Sequence, residues 1–127
     1  CDFDILAHLT CPLRYINGKY GLNIDAKNYR AKIEKVLKEV IKRKIALEIN
    51  TSCVYKDSVY CEFMPEKWIL EMYRDMGGYL ITLGSDAHIS QNSANSFDAA
   101  YEIIKEIGFE NIYYYKNRRA IQCAVKY

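Results

Sequence analysis

Three stretches of the chain repeat one pattern: a short apolar run, a polar residue at its end, a loop, then an amphipathic segment. The runs are FDILAHL (Phe3 to Leu9), IALEIN (Ile45 to Asn50) and YLITLGS (Tyr79 to Ser85). Branched aliphatics dominate them with little polar alternation, which predicts strands buried on both faces. Between Asn28 and Lys44, the residues Ile33, Val36, Leu37, Val40 and Ile41 recur at helical spacing, predicting a helix with one apolar stripe. A second helix is predicted after Pro65, with Ile69, Met72, Tyr73 and Met76 inward and a stop at Gly77-Gly78. For a third, Asn95 and Asp98 resemble a capping arrangement, Phe97, Ala100, Tyr101, Ile104 and Ile107 form the stripe, and Gly108 ends it. The tail IYYYKNRRAIQCAVKY predicts two short strands, Ile112 to Tyr115 and Ala120 to Val125, around a turn at Lys116 to Arg118. Its expected place is the edge or end of the main sheet.

Alternating strands and helices imply an α/β fold with a parallel sheet, because helical crossovers join successive parallel strands. Such sheets carry their functional residues at the carboxyl ends of the strands. Here those ends supply His8, then Glu48 and Asn50, then Asp86 and His88. Three or four strand–helix units amount to about half of the ~250 residues of a closed (β/α) barrel.

Composition narrows the class. The chain has 127 residues, enough for one domain or part of one, and is 50% hydrophobic and 27% charged, a globular balance. A net charge of +2 gives no reason to expect a nucleic-acid partner. The longest charge-poor stretch, Gly77 to Ser85, is far shorter than the ~20 residues of a membrane span, so no membrane partner is expected either. The opening CDFDILAHL has acids where a secretory leader is basic, lacks Met, and already reads as the inside of a strand. A fragment of a longer protein is the expectation. Five cysteines, at positions 1, 11, 53, 61 and 123, include no C-x-x-C pair and suit neither a zinc ribbon nor a disulfide framework. They read as reduced thiols of a cytoplasmic protein.

Asp86 and His88 offer an oxygen and a nitrogen two residues apart, which share a side if the backbone is still extended. That pairing suits Zn²⁺, Mn²⁺ or Fe²⁺. Alternatively Ser85 or Asp86 caps a turn and His88 is simply exposed. His8 closes another strand as a ligand or as a satisfied rim residue, and the chain has no third histidine. Glu48 puts a charge inside an apolar run, where it needs either an ion-pair partner or a role at the site. Asn50, Thr51 and Ser52 can hydrogen-bond there or form a turn. Arg14, in the loop TCPLRY, has a guanidinium suited to gripping phosphate, or is a solvated surface residue. Lys116, Arg118 and Arg119 read as a solvated cluster, and Tyr113, Tyr114 and Tyr115 as strand packing.

Taken in order, FDILAHL, ALEINTS, GGYLITLGSDAH and FDAAYEIIKEIGFENIYYYKNRRAI resemble the PHP superfamily of metal-dependent phosphoesterases, most nearly its histidinol-phosphatases. GSDAH is the most specific single motif. The resemblance implies that residues 1–127 are one partial domain, the C-terminal half of a distorted (β/α)7, TIM-like barrel. It implies up to three divalent ions (zinc, manganese or iron) held at the strand ends. His8, Asp86 and His88 correspond to metal ligands, Asp86 and His88 being also the catalytic pair. Arg14 corresponds to a substrate-phosphate contact, and Glu48 and Asn50 to supports behind the ligands. The implied activity is hydrolysis of L-histidinol phosphate to L-histidinol and phosphate, a step of histidine biosynthesis. The opening H-x-H, a further histidine and a bridging glutamate of that family are not in this chain. Around His8, Ala7 and Thr10 stand where the family often has Gly and Asp. The expectations are therefore weak metal affinity and negligible phosphatase activity for these residues alone, with self-association through an exposed strand edge. Another PHP phosphoesterase, or a non-catalytic binding fragment, are the alternatives.

Overall fold

A computed structural model describes residues 1–54 and 63–125. Three parallel strands form the main sheet in the order β1 (Ile5–Leu6), β2 (Ala46–Asn50), β3 (Ile81–Gly84). Ile5 pairs with Ala46, Leu47 with Ile81, and Asn50 with Gly84, so all three carboxyl ends lie on one rim. Helices α1 (Cys11–Tyr20) and α2 (Arg30–Lys42) connect β1 to β2, and α3 (Lys67–Asp75) connects β2 to β3. After β3 come α4 (Phe97–Ile107) and a hairpin, β4 (Asn111–Lys116) with β5 (Arg119–Ala124). The mixed α/β architecture with a parallel sheet is thus the observed one. Leu37 of α2, Leu47 and Ile49 of β2, Ile69 and Leu70 of α3, Ile81 of β3 and Ile104 of α4 are fully buried together. Burying each such side chain contributes about 1.5–3 kcal/mol.

The predicted stripes of α2 to α4 become the core faces, with small corrections. Val36 of α2 is exposed, while Ile33, Leu37 and Val40 are buried. In α3, Leu70 joins Ile69, Met72 and Tyr73 in the interior. The capping expected of Asn95 and Asp98 does not form. Ser96 occupies the cap position with a left-handed backbone and no side-chain cap bond, and Asn95 instead offers its carbonyl to the Thr51 hydroxyl at 2.7 Å.

Three elements differ more. The strand expected from Phe3 to Leu9 shrinks to Ile5–Leu6, with Phe3 and Ile5 exposed, because among the described residues β1 has a sheet neighbour on one side only. Helix α1 stands where a loop was expected. Pro12 lies in its first turn, and Gly21 ends it in a left-handed conformation, donating to the Asn17 carbonyl at 2.9 Å. None of its ten residues is buried, so it has no apolar stripe for periodicity to detect. The tail forms its own antiparallel pair, from Asn111 opposite Ala124 to Lys116 opposite Arg119. Its two-residue turn, Asn117-Arg118, has positive φ at both positions (49° and 62°), the geometry that matches hairpin twist. Pairing across so short a loop costs less chain entropy than reaching the main sheet's edge.

Arg118 is not merely solvated. From the hairpin turn its guanidinium donates to both oxygens of Asp2 (2.7 and 2.8 Å) and to both of Asp4 (3.1 Å each), tying the approach to β1 to the hairpin. The cysteine reading also needs correction: buried Cys53 is disulfide-bonded, while Cys1, Cys11 and Cys123 are free thiols and Cys61 lies outside the described residues. A motif search looks for C-x-x-C or a framework, whereas one isolated bond leaves no such spacing signature. Among the described residues no helix is long and apolar enough to cross a membrane.

Candidate functional site

The rim of the parallel sheet gathers five of the six residues singled out from the sequence. Along β2, Leu47 and Ile49 enter the core, so alternation turns Glu48 and Asn50 to the opposite face. His8 follows β1 with φ of 60°, a left-handed conformation rarely adopted outside glycine. Glu48 Oε2 accepts from the His8 backbone N–H at 3.1 Å and from Asn50 Nδ2 at 3.3 Å. The same oxygen lies 3.4 Å from His8 Nδ1. A carboxylate inside an apolar strand therefore has hydrogen-bond donors, the condition for keeping its charge there.

Asp86 Oδ1 is the other focus. His8 Nε2 lies 3.8 Å from it and His88 Nε2 lies 3.7 Å from it. Asp86 and His88 meet by a route other than the expected one. Asp86 has φ of 49°, so the backbone leaves the extended region immediately after β3, and the pair converges through a bend rather than strand alternation. Asp tolerates this conformation better than most residues. His88 is 82% exposed at its side chain, while Asp86 is about one quarter exposed at 28%. Ser85 Oγ accepts from the Ala94 backbone N–H at 3.3 Å, holding the outgoing loop.

Arg14 lies in a helix, not a loop, on the second turn of α1. Its Nη1 donates to Ser52 Oγ at 3.2 Å, and the Ser52 backbone N–H donates to Asn50 Oδ1 at 3.0 Å. A guanidinium is thus linked through Ser52 and Asn50 to the Glu48–His8 pair. Asn50, Thr51 and Ser52 are fully buried. The Thr51 N–H donates to the Gly84 carbonyl at 2.8 Å, and Asn50 exchanges backbone hydrogen bonds with Met64. These three serve as a buried brace for the rim, beyond the turn function expected of them.

Sequence reasoning missed Gly84. A Cβ on this glycine would collide with Glu48 Oε1, yet Gly84 is not among the positive-φ glycines. Its only sequence signal is a glycine at the end of an apolar run, which also reads as a strand terminator.

Two imidazoles and a carboxylate are donors suited in kind to a borderline divalent ion. Among the described residues, however, no group of three or more His, Cys, Asp or Glu could hold a metal ion by itself. The donor set is chemically fit and numerically short.

The proteins this chain is similar to are phosphatases. It is 39% identical over 108 residues to the probable histidinol-phosphatase of Thermotoga maritima, across 85% of this chain and 42% of that protein. Against the probable histidinol-phosphatase of Clostridium acetobutylicum it is 31% identical over 113 residues, covering 89% and 43%. Against the histidinol-phosphatase of Lactococcus lactis it is 30% identical over 112 residues, covering 87% and 40%. The chain spans about two fifths of the length of these curated relatives. No family model matches it.

Proposed function

We propose that this chain is the C-terminal part of a PHP-type histidinol-phosphatase and carries one wall of its active site. The observation that carries this is the convergence of His8, Asp86 and His88 from the carboxyl ends of two parallel strands, in a chain similar to histidinol-phosphatases. On this reading the three-stranded sheet is part of a (β/α)7 barrel, and the other strands and ligands belong to the length that the relatives have beyond this match. Among the described residues β1 pairs on one side only, which favours such a continuation.

His8, Asp86 and His88 would hold zinc, manganese or iron together with ligands from that remainder. Such an ion, when bound, lowers the pKa of a water and offsets phosphate charge. Of this chain's own residues, Arg14 would donate hydrogen bonds to the phosphate of L-histidinol phosphate, exchanging its contact with Ser52 for phosphate oxygens. Glu48 and Asn50 hold His8 in place rather than bind metal. The net reaction adds water across the P–O ester bond, releasing L-histidinol and inorganic phosphate. Its place would be in histidine biosynthesis in the cytoplasm.

The test is phosphate release by the intact polypeptide from L-histidinol phosphate and from a panel of other phosphomonoesters. Release from histidinol phosphate, abolished by a chelator and restored by a divalent ion, is the expected result. Asp86→Asn should lower kcat/KM by about 100-fold or more, since metal-assisted charge stabilisation contributes several kcal/mol. Release from the other esters alone would replace this reading with that of a different phosphoesterase. No release from any would replace it with a binding role.

A further inference from the structure

We infer that Glu48 and Gly84 act as one positioning device for His8. Gly84 keeps β3 bare so that the Glu48 carboxylate can lie against it, and Glu48 then fixes the His8 ring with Nε2 turned toward Asp86. The inference deepens the metal reading above and rests on it for the purpose of Nε2, though not for the geometry.

The strand register explains the need for a glycine. Asn50 is paired with Gly84, and Glu48 with Thr82, so a side chain at 84 would stand on the same stretch of rim as the Glu48 carboxylate. A Cβ there would crowd Glu48 Oε1 more closely than the two atoms can approach. Because Gly84 is not among the positive-φ residues, close approach and not backbone freedom is what calls for glycine. With Oε1 lodged against Gly84, Oε2 faces His8. It accepts the backbone N–H at 3.1 Å, stabilising a residue whose φ of 60° is otherwise unfavourable. It also stands 3.4 Å from Nδ1.

A carboxylate beside Nδ1 favours the neutral tautomer with the proton on Nδ1, because only then does that nitrogen donate. The lone pair is left on Nε2, which points at Asp86 Oδ1 from 3.8 Å. Two electron-pair donors aimed at one point are brought together by a cation between them, and an orienting partner on the second ring nitrogen makes the first a better ligand. Asn50 Nδ2 completes the arrangement by donating to Oε2 at 3.3 Å.

The decisive measurement is the pair of ring ¹⁵N shifts of His8 in the metal-free intact protein, with the imidazole neutral. Wild type should show the proton mainly on Nδ1. Glu48→Ala and Gly84→Ala should each move it toward Nε2, the form preferred in water. Zinc affinity measured by calorimetry should fall about 10–100-fold in each single variant. Glu48→Ala with Gly84→Ala together should lose no more than Glu48→Ala alone, since without the carboxylate the added methyl meets nothing. That double variant also relieves the collision if Gly84→Ala alone folds poorly. The inference is overturned if wild-type His8 carries its proton on Nε2, if Glu48→Ala leaves the tautomer unchanged, or if the two affinity losses multiply. Should the tautomer respond as stated while the wild type binds no zinc, the positioning device stands and the metal reading fails.

Discussion

Tyr73 is 1% exposed, and its hydroxyl donates to the Leu80 carbonyl at 3.1 Å. Burial pushes this phenol from its ordinary 10.0 up to about 12. The folded chain therefore keeps a proton that the unfolded chain loses first, and the resulting stability is complete below pH 10.0 and lost as pH rises toward about 12. Tyr73→Phe should remove that pH dependence and cost about 1 kcal/mol near neutral pH for one buried hydrogen bond, both read by urea unfolding. An inward Tyr73 was legible from helical periodicity alone. The left-handed backbones of His8 and Asp86 were not, because both residue types tolerate that conformation without requiring it, and the His8 backbone N–H finds its acceptor on Glu48, distant in the sequence.

At the scale of elements, the joint between α3 and β3 is set by close approach. A Cβ on Gly78 would run into the Tyr73 ring, and the Gly78 N–H donates to the Tyr73 carbonyl at 2.9 Å. Gly78→Ala should therefore overpack this joint and cost about 1–3 kcal/mol, measured as a lowered urea midpoint with an unchanged slope. The Gly77-Gly78 pair was readable as a helix stop, but the steric demand at the second glycine depended on where the Tyr73 ring came to rest. The same division holds in the hairpin. KNRR announces a turn, whereas the pairing of Arg118 with Asp2 and Asp4 joins residues 116 and 114 positions apart. Those bonds hold the Asp2 carboxyl below its ordinary 3.8, so their contribution is present above that value and lost as pH falls through the lowered one. Arg118→Ala should lower the protection of the Ile5 and Leu6 amides against hydrogen exchange, relative to the intrinsic rate at each pH, at neutral pH, and should remove the further loss of protection that acid produces in wild type. Added salt should reduce the difference, as the cluster is exposed.

For the whole molecule, the open side of the sheet matters most. Among the described residues β1 pairs only with β2, and the exposed apolar residues Phe3 and Ile5 lie along it. An uncovered strand edge recruits other chains. The 127-residue chain alone should therefore self-associate as its concentration rises, by light scattering, and the function proposed above adds that it should hydrolyse histidinol phosphate negligibly beside a polypeptide of the relatives' full length. A monomer at all concentrations would show that the edge is too short to pair.

The sequence by itself determined the alternation of strands and helices, the core stripes of α2 to α4, and the presence of His8, Glu48, Asn50, Asp86 and His88 near strand ends. Periodicity and chain order suffice for these, because a strand or an amphipathic helix is defined by its own residues. Tertiary structure decided what those residues do to one another. It placed Glu48 between His8 and Gly84, put Arg14 on a helix none of whose residues is fully buried, and joined Cys53 in a disulfide. Each of these depends on which neighbour occupies a few ångströms of space across the sheet, and that is set by register and packing rather than by any local pattern.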